Sequence, residues 1–119
     1  MLIAGNHEHY SAYSRPGASF GATLAALRAE AARSAGQVVF LECETAIIAG
    51  VRFVACTLWT DFGLYRNGRD AMAYAETGMT DFRVIANREG KRFTPSNARD
   101  EFAAARRFLE RSVQISMRR

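Results

Sequence analysis

Apolar and polar positions fall in blocks along the chain, and the blocks define a short list of elements. Met1–Ala4 is apolar throughout and stops at Gly5, so it reads as the end of a buried strand, with the polar turn Asn6-His7-Glu8-His9 just past it. From Ser19 to Gly36, Phe20, Leu24, Leu27 and Ala31 recur at helical spacing while Arg28, Glu30 and Arg33 fall elsewhere. An amphipathic helix follows from that spacing, with Ser19 as N-cap and Gly36 as stop. The run "QVVFLE", residues 37–42, is rich in β-branched and aromatic side chains and suits a strand buried on both faces. "TAIIAGVRFVACTLW", residues 45–59, gives two more strands around Ala49-Gly50, a two-residue hairpin in which Gly50 supplies a positive φ. Residues 60–82 read as an excursion, punctuated by Asn67-Gly68 and Gly78, with a short helix between Asp70 and Glu76. The last element begins at "TPSNARDEF", where Thr94 can cap and Pro95 suits the first helical position. Ala98, Phe102, Ala105 and Leu109 then form one stripe.

The order is therefore strand stub, helix, strand, hairpin, excursion, helix. A strand, helix, strand succession supplies the crossover that parallel pairing requires, which makes α/β the expected class. In open sheets of that class, ligand sites lie past the carboxyl ends of the strands. The Asn6–His9 turn occupies such a position.

Composition narrows the picture. With 119 residues, 49% apolar and 24% charged, the chain belongs with single globular domains. No apolar run is long enough to span a bilayer, and Asn6–Glu8 interrupt the apolar start too early for a signal peptide. A cytoplasmic protein without membrane contact is the expectation. The net charge of +4 comes from 16 basic residues, all arginine except Lys91. Arg106, Arg107, Arg111, Arg118 and Arg119 form the one dense group. A solvated helix face accounts for it, and a nucleic-acid-binding patch is the alternative. Around an Ala49-Gly50 turn, opposed residue numbers sum to 99, so Cys43 would face Cys56. Either a disulfide or two reduced thiols fits that pairing, and a cytoplasmic location favours the thiols.

Four stretches in order carry a family likeness: "GNHE" after a short apolar strand, "GVRFVACTLWTDF", "MTDFRVI" and "FTP" followed by "ARRFL". Together they resemble the calcineurin-like metallophosphoesterases, in particular the small bacterial members, over Ile3 to about Leu109. The resemblance implies a partial metallophosphoesterase α/β sandwich and hydrolysis of a phosphate mono- or diester. It also implies two divalent or trivalent metal ions of the manganese, iron or zinc class, which lower the pKa of the attacking water and neutralise charge on the phosphoryl oxygens. Carried over by position, Asn6 gives its amide oxygen to one metal, His7 serves the leaving group, and Glu8 orients His7 from behind. His9 and Tyr10 lie beyond the motif, with no role implied.

The departures from that family are as informative as the match. Its metal site also draws on upstream Asp-x-His and Gly-Asp-x-x-Asp motifs and on later histidines ending in Gly-His-x-His. This sequence has two histidines in all, His7 and His9. Asp61, Asp70, Asp81 and Asp100 lie downstream and do not replace the upstream aspartates. Residues 1–119 thus read as the central piece of such a domain, incomplete and inactive alone, with 110–119 a divergent basic tail where a strand is expected. Unpaired apolar strands in an incomplete sheet lead to the further expectation of self-association. Bland readings stand beside these: Asn6 and Glu8 as turn chemistry, the two imidazoles as an adventitious metal pair too small for structural zinc, and Trp59 as a core or wall residue.

Overall fold

A computed structural model describes residues 1–10 and 15–117. It contains helices α1 (Phe20–Arg33), α2 (Gly68–Gly78), α3 (Asp81–Val84) and α4 (Pro95–Met117), and strands β1 (Glu44–Ile48) and β2 (Val51–Ala55), after a 3-10 turn over His7–His9. The chain mixes helices with an antiparallel two-stranded sheet, so the α/β expectation holds at that coarse level.

Both strands expected before the hairpin shrink to a single bridge. Leu2 pairs with Phe40 in parallel, Leu2 N–H donating to Val39 O at 2.8 Å and Leu41 N–H to Leu2 O at 3.0 Å. The crossover geometry is therefore present, with α1 connecting two parallel segments, but neither Met1–Ala4 nor 37–42 extends into a ladder. A strand lengthens only while a neighbour offers donors and acceptors on its open side, and here neighbours among the described residues run out after one residue.

The helices start and stop for local reasons. Ser19 Oγ accepts from Ala22 N–H at 3.0 Å and caps α1, which ends at Arg33, three residues before Gly36. Phe20 is buried and Leu24, Leu27 and Ala31 are half-buried, on the expected stripe. At α4, Thr94 and Asn97 form a reciprocal cap: Asn97 N–H donates to Thr94 Oγ1 at 3.3 Å and Thr94 N–H to Asn97 Oδ1 at 3.0 Å. Pro95 follows as the first helical residue, and Ala98 and Ala105 are buried along the inner stripe. Residues 110–117, expected as a separate tail, continue α4, because no glycine or proline interrupts them. α2 brackets the expected Asp70–Glu76 helix by two residues on each side, and α3 is an additional turn that periodicity did not show.

β1 and β2 pair in the expected register, Ile48 with Val51 through Glu44 with Ala55. Ala49 (φ 50°) and Gly50 (φ 80°) both take left-handed conformations, the type I′ geometry that matches strand twist. Alanine there is strained where asparagine is not. Ala49→Asn should stabilise the hairpin by about 0.5 kcal/mol and slow hydrogen exchange of its ladder amides roughly twofold. No change in exchange would show that the turn does not limit hairpin opening.

The core is aromatic and lies among α1, α3 and α4. Phe20, Phe82, Ile85, Phe93 and Ala98 are buried together, with Leu24, Trp59, Phe62, Ala75 and Val84 packed on them. Trp59 meets Phe93 at 4.8 Å between ring centroids, which bears out its core reading. On the strand side the buried apolar residues are Ala4, Phe40, Leu41 and Ala55. Accessible surface totals 8058 Å², against about 6,400 Å² for a folded monomer of this mass. The radius of gyration is 15.9 Å, against about 13.5 Å for a compact chain of this length.

Candidate functional site

The polar turn is built by its own backbone and one distant carboxylate. Residues His7–His9 form a single 3-10 turn, in which His9 N–H donates to Asn6 O at 3.1 Å and Tyr10 N–H to His7 O at 3.0 Å. Glu8 Oε2 accepts from Gly5 N–H at 2.6 Å. That bond closes the turn where the strand stub ends, and places the Glu8 carboxylate on Gly5. Among the described residues no hydrogen bond joins Glu8 to His7. A Cβ at Gly5 would stand 3.1 Å from the Glu8 oxygen, so a larger residue there would push the Glu8 carboxylate aside by a few tenths of an ångström.

Asn6 reaches across 75 residues of sequence to Asp81. Its Nδ2 donates to both Asp81 oxygens, at 3.0 and 3.1 Å. A carboxylate only accepts, so the amide must present its nitrogen to Asp81 and turn its oxygen away. That oxygen takes no hydrogen bond from any described residue. Tyr10 Oη donates to Asp81 Oδ1 as well. The Asp81 carboxylate, as acceptor and as neighbouring charge, pushes the Tyr10 hydroxyl above the usual tyrosine range, with desolvation adding to it. Asp81 itself is only 4% exposed and opens α3. Sequence reasoning set it aside as a downstream residue of the excursion, unable to replace the upstream aspartates. Its sole signal was membership of the "MTDFRVI" stretch.

The other two polar residues of the turn part company. His7 is exposed, its ring 4.5 Å from that of Tyr10. His9 is buried, stacked on Phe20 at 3.7 Å with the planes 10° apart. Burial pushes its pKa down to about 4, against opposing pulls from Glu101 and Glu8, while Arg88 adds to the lowering. His9 is thus a core residue, and the paired-imidazole reading fails because the two rings occupy opposite environments.

An open cleft of about 480 Å³ lies beside the turn, and its lining includes Ile3, Ala4, Leu58 and Trp59 together with Asn6 and Asp81. Its rim is fixed by Thr57, whose Oγ1 lies 2.8 Å from Ala4 O and 2.5 Å from Glu42 Oε2. Cys56 borders the cleft. Cys43, one residue beyond the ladder, has φ 52° and leaves the strand. Both thiols are free, and burial pushes Cys43 up to about 11, so each is protonated near neutral pH. Among the described residues no three His, Cys, Asp or Glu side chains converge closely enough to hold a metal ion. Nor is any helix among them long and apolar enough to cross a membrane.

No protein-family model matches the chain. No curated protein and no solved structure matches it either.

Proposed function

We propose that this chain is the Asn-His-Glu segment of a metallophosphoesterase-type sandwich, acting on phosphate mono- or diesters only with ligands that it does not itself contain. The observation carrying this reading is the locked Asn6 amide: Asp81 holds the nitrogen, the oxygen takes no hydrogen bond from a described residue, and Asn6 and Asp81 both line the cleft. A hard, neutral oxygen in that position suits a divalent ion as one ligand of several. The His7 imidazole, next in sequence and exposed though not among the cleft's lining residues, suits the leaving-group role. The chain's own donors do not make up a dinuclear centre, because one amide oxygen and one exposed imidazole are too few and Asp81 is engaged by Asn6 and Tyr10.

A non-catalytic scaffold is the second reading, favoured by the inward use of Glu8, His9 and Asp81. The arginine-rich nucleic-acid reading has less behind it. Arg28, Arg33, Arg88, Arg92 and Arg106 each pair with a glutamate, so these five of the 16 basic residues, one of them in the dense group, are neutralised locally.

The chain after gel filtration should carry no stoichiometric metal and should not hydrolyse an aryl phosphate in excess manganese. Two tightly held ions per chain with turnover would overturn its incompleteness. Coding sequence on either side of residues 1–119 separates the two readings. Asp-x-His upstream and Gly-His-x-His downstream support the phosphoesterase, and neither motif in intact flanks supports the scaffold.

A further inference from the structure

The two cysteines sit at the open end of the hairpin, and the contacts flanking them hold the two arms together on either side. Towards the turn, Glu44 pairs with Ala55 in the last step of the ladder. Away from it, the Glu42 carboxylate accepts the Thr57 backbone N–H at 3.1 and 3.2 Å, in the place that a facing strand's carbonyl would fill. Cys43 and Cys56 lie between these two contacts, one on each arm. Counting out from Ile48 and Val51, the first pair beside the turn, their position is of the non-hydrogen-bonded kind. Cα atoms of such a pair lie about 4.5 Å apart, within the range that a disulfide spans. Cys43 departs from the strand in one respect. Its φ of 52° is a left-handed conformation that cysteine disfavours, and its Sγ turns to Glu42 Oε1 at 3.7 Å. Cys43 is exposed and Cys56 half-buried, so a small oxidant reaches the pair.

We propose that Cys43 and Cys56 are a reversible disulfide pair, closed by exchange with a low-molecular-weight disulfide such as glutathione disulfide, and that closure locks the open end of the hairpin. The exposed Cys43 sulfur, as thiolate, attacks the small disulfide, forming a mixed disulfide and releasing one small thiol. Cys56 then attacks the Cys43 sulfur and releases the second. One small S–S bond and two protein S–H bonds become one protein S–S bond and two small S–H bonds. The electron pair therefore ends on the small thiols, and both protons go with them. Closure rotates Cys43 out of its left-handed conformation into the extended one, which adds a step to the β1–β2 pairing. Both thiols are held above the usual range, by burial first and the Glu42 carboxylate second, so thiolate is scarce near neutral pH and exchange is slow there. The cross-link encloses the turn and the whole ladder, and so acts on a two-stranded ribbon that is marginal without it. The inference rests on the hairpin register and is independent of the phosphoesterase reading.

Equilibration of the reduced 119-residue chain with mixtures of glutathione and glutathione disulfide at mildly alkaline pH, quenched with acid and read by intact mass and peptide mapping, tests it. The expected product is a single chain lighter by two hydrogens, with Cys43 linked to Cys56 and no glutathione retained. Its equilibrium constant in buffer should exceed that of the same chain in denaturing urea by about tenfold or more, since in urea only loop closure brings the thiols together. Amide exchange over Thr45–Val54 should be slower by about tenfold or more in the oxidised chain than in the reduced one. Cys43→Ser and Cys56→Ser should each stop at a mixed disulfide with one glutathione and show no such slowing. Accumulation of the mixed disulfide in the wild-type chain, a constant no larger in buffer than in urea, links between chains in place of the internal one, or ladder exchange indifferent to oxidation would each overturn the proposal.

Discussion

Asp81→Ala should lower the free energy of unfolding by about 3 kcal/mol, since it strands donors that a buried charged acceptor now satisfies. Asn6 presents two contacts to that carboxylate and Tyr10 a third. The loss reaches beyond the turn, because Asp81 joins the Asn6 segment to α3 and so to the aromatic core. Asp81→Asn keeps one accepting oxygen and should fall between wild type and alanine. In a double-mutant cycle, Asn6→Ala and Asp81→Ala should couple by at least about 1 kcal/mol. Urea unfolding at one fixed protein concentration measures both quantities. An Asp81→Ala value within 0.5 kcal/mol of wild type, or additive single effects, would mean that the contact contributes nothing to holding the turn.

Acidification should destabilise the chain through His9 before most carboxylates titrate. The folded value of about 4 lies below the ordinary 6.5. Between those values the unfolded chain binds a proton that the folded chain refuses, so stability is full above pH 6.5 and falls as pH drops towards 4. The whole effect is about 3 kcal/mol at most. Glu101, Glu8 and Arg88 are the charged groups acting on this imidazole, and Arg88 is itself held by Glu101 at 2.6 Å. His9→Phe, which keeps a ring against Phe20, should remove most of the slope between pH 6.5 and 4.5. Equal slopes in the two proteins would assign the acid sensitivity to other groups.

What the sequence revealed depended on how local the cause was. The hairpin and its register were legible because Ala49-Gly50 dictates both through backbone conformation alone. Helix starts at Ser19 and Thr94 were legible for the same reason, a side chain meeting an amide three residues on. The 37–42 strand failed because its extent depends on neighbours and not on its own residues: Val38 and Val39 have the right character but little to pair with. The clasp between Asn6 and Asp81 was beyond reach, since chain spacing carries no sign of a contact 75 residues apart. His9 misled by its type. A histidine beside a motif histidine suggests chemistry, whereas the fold buries this one and stacks its ring on Phe20.

The hairpin projects from the helical body, joined to it by contacts such as the Arg28–Glu44 ion pair at 3.3 Å, and a two-stranded ribbon is marginal by itself. Its opening is therefore a separate event from the melting of the aromatic core, and the chain has more than one folding free energy. Trp59, the one tryptophan, stands in that core against Phe20 and Phe93. Its fluorescence reports a protein that is intact while Glu44–Ala55 has already come apart, so cooperativity read from this single optical probe belongs to the helices alone.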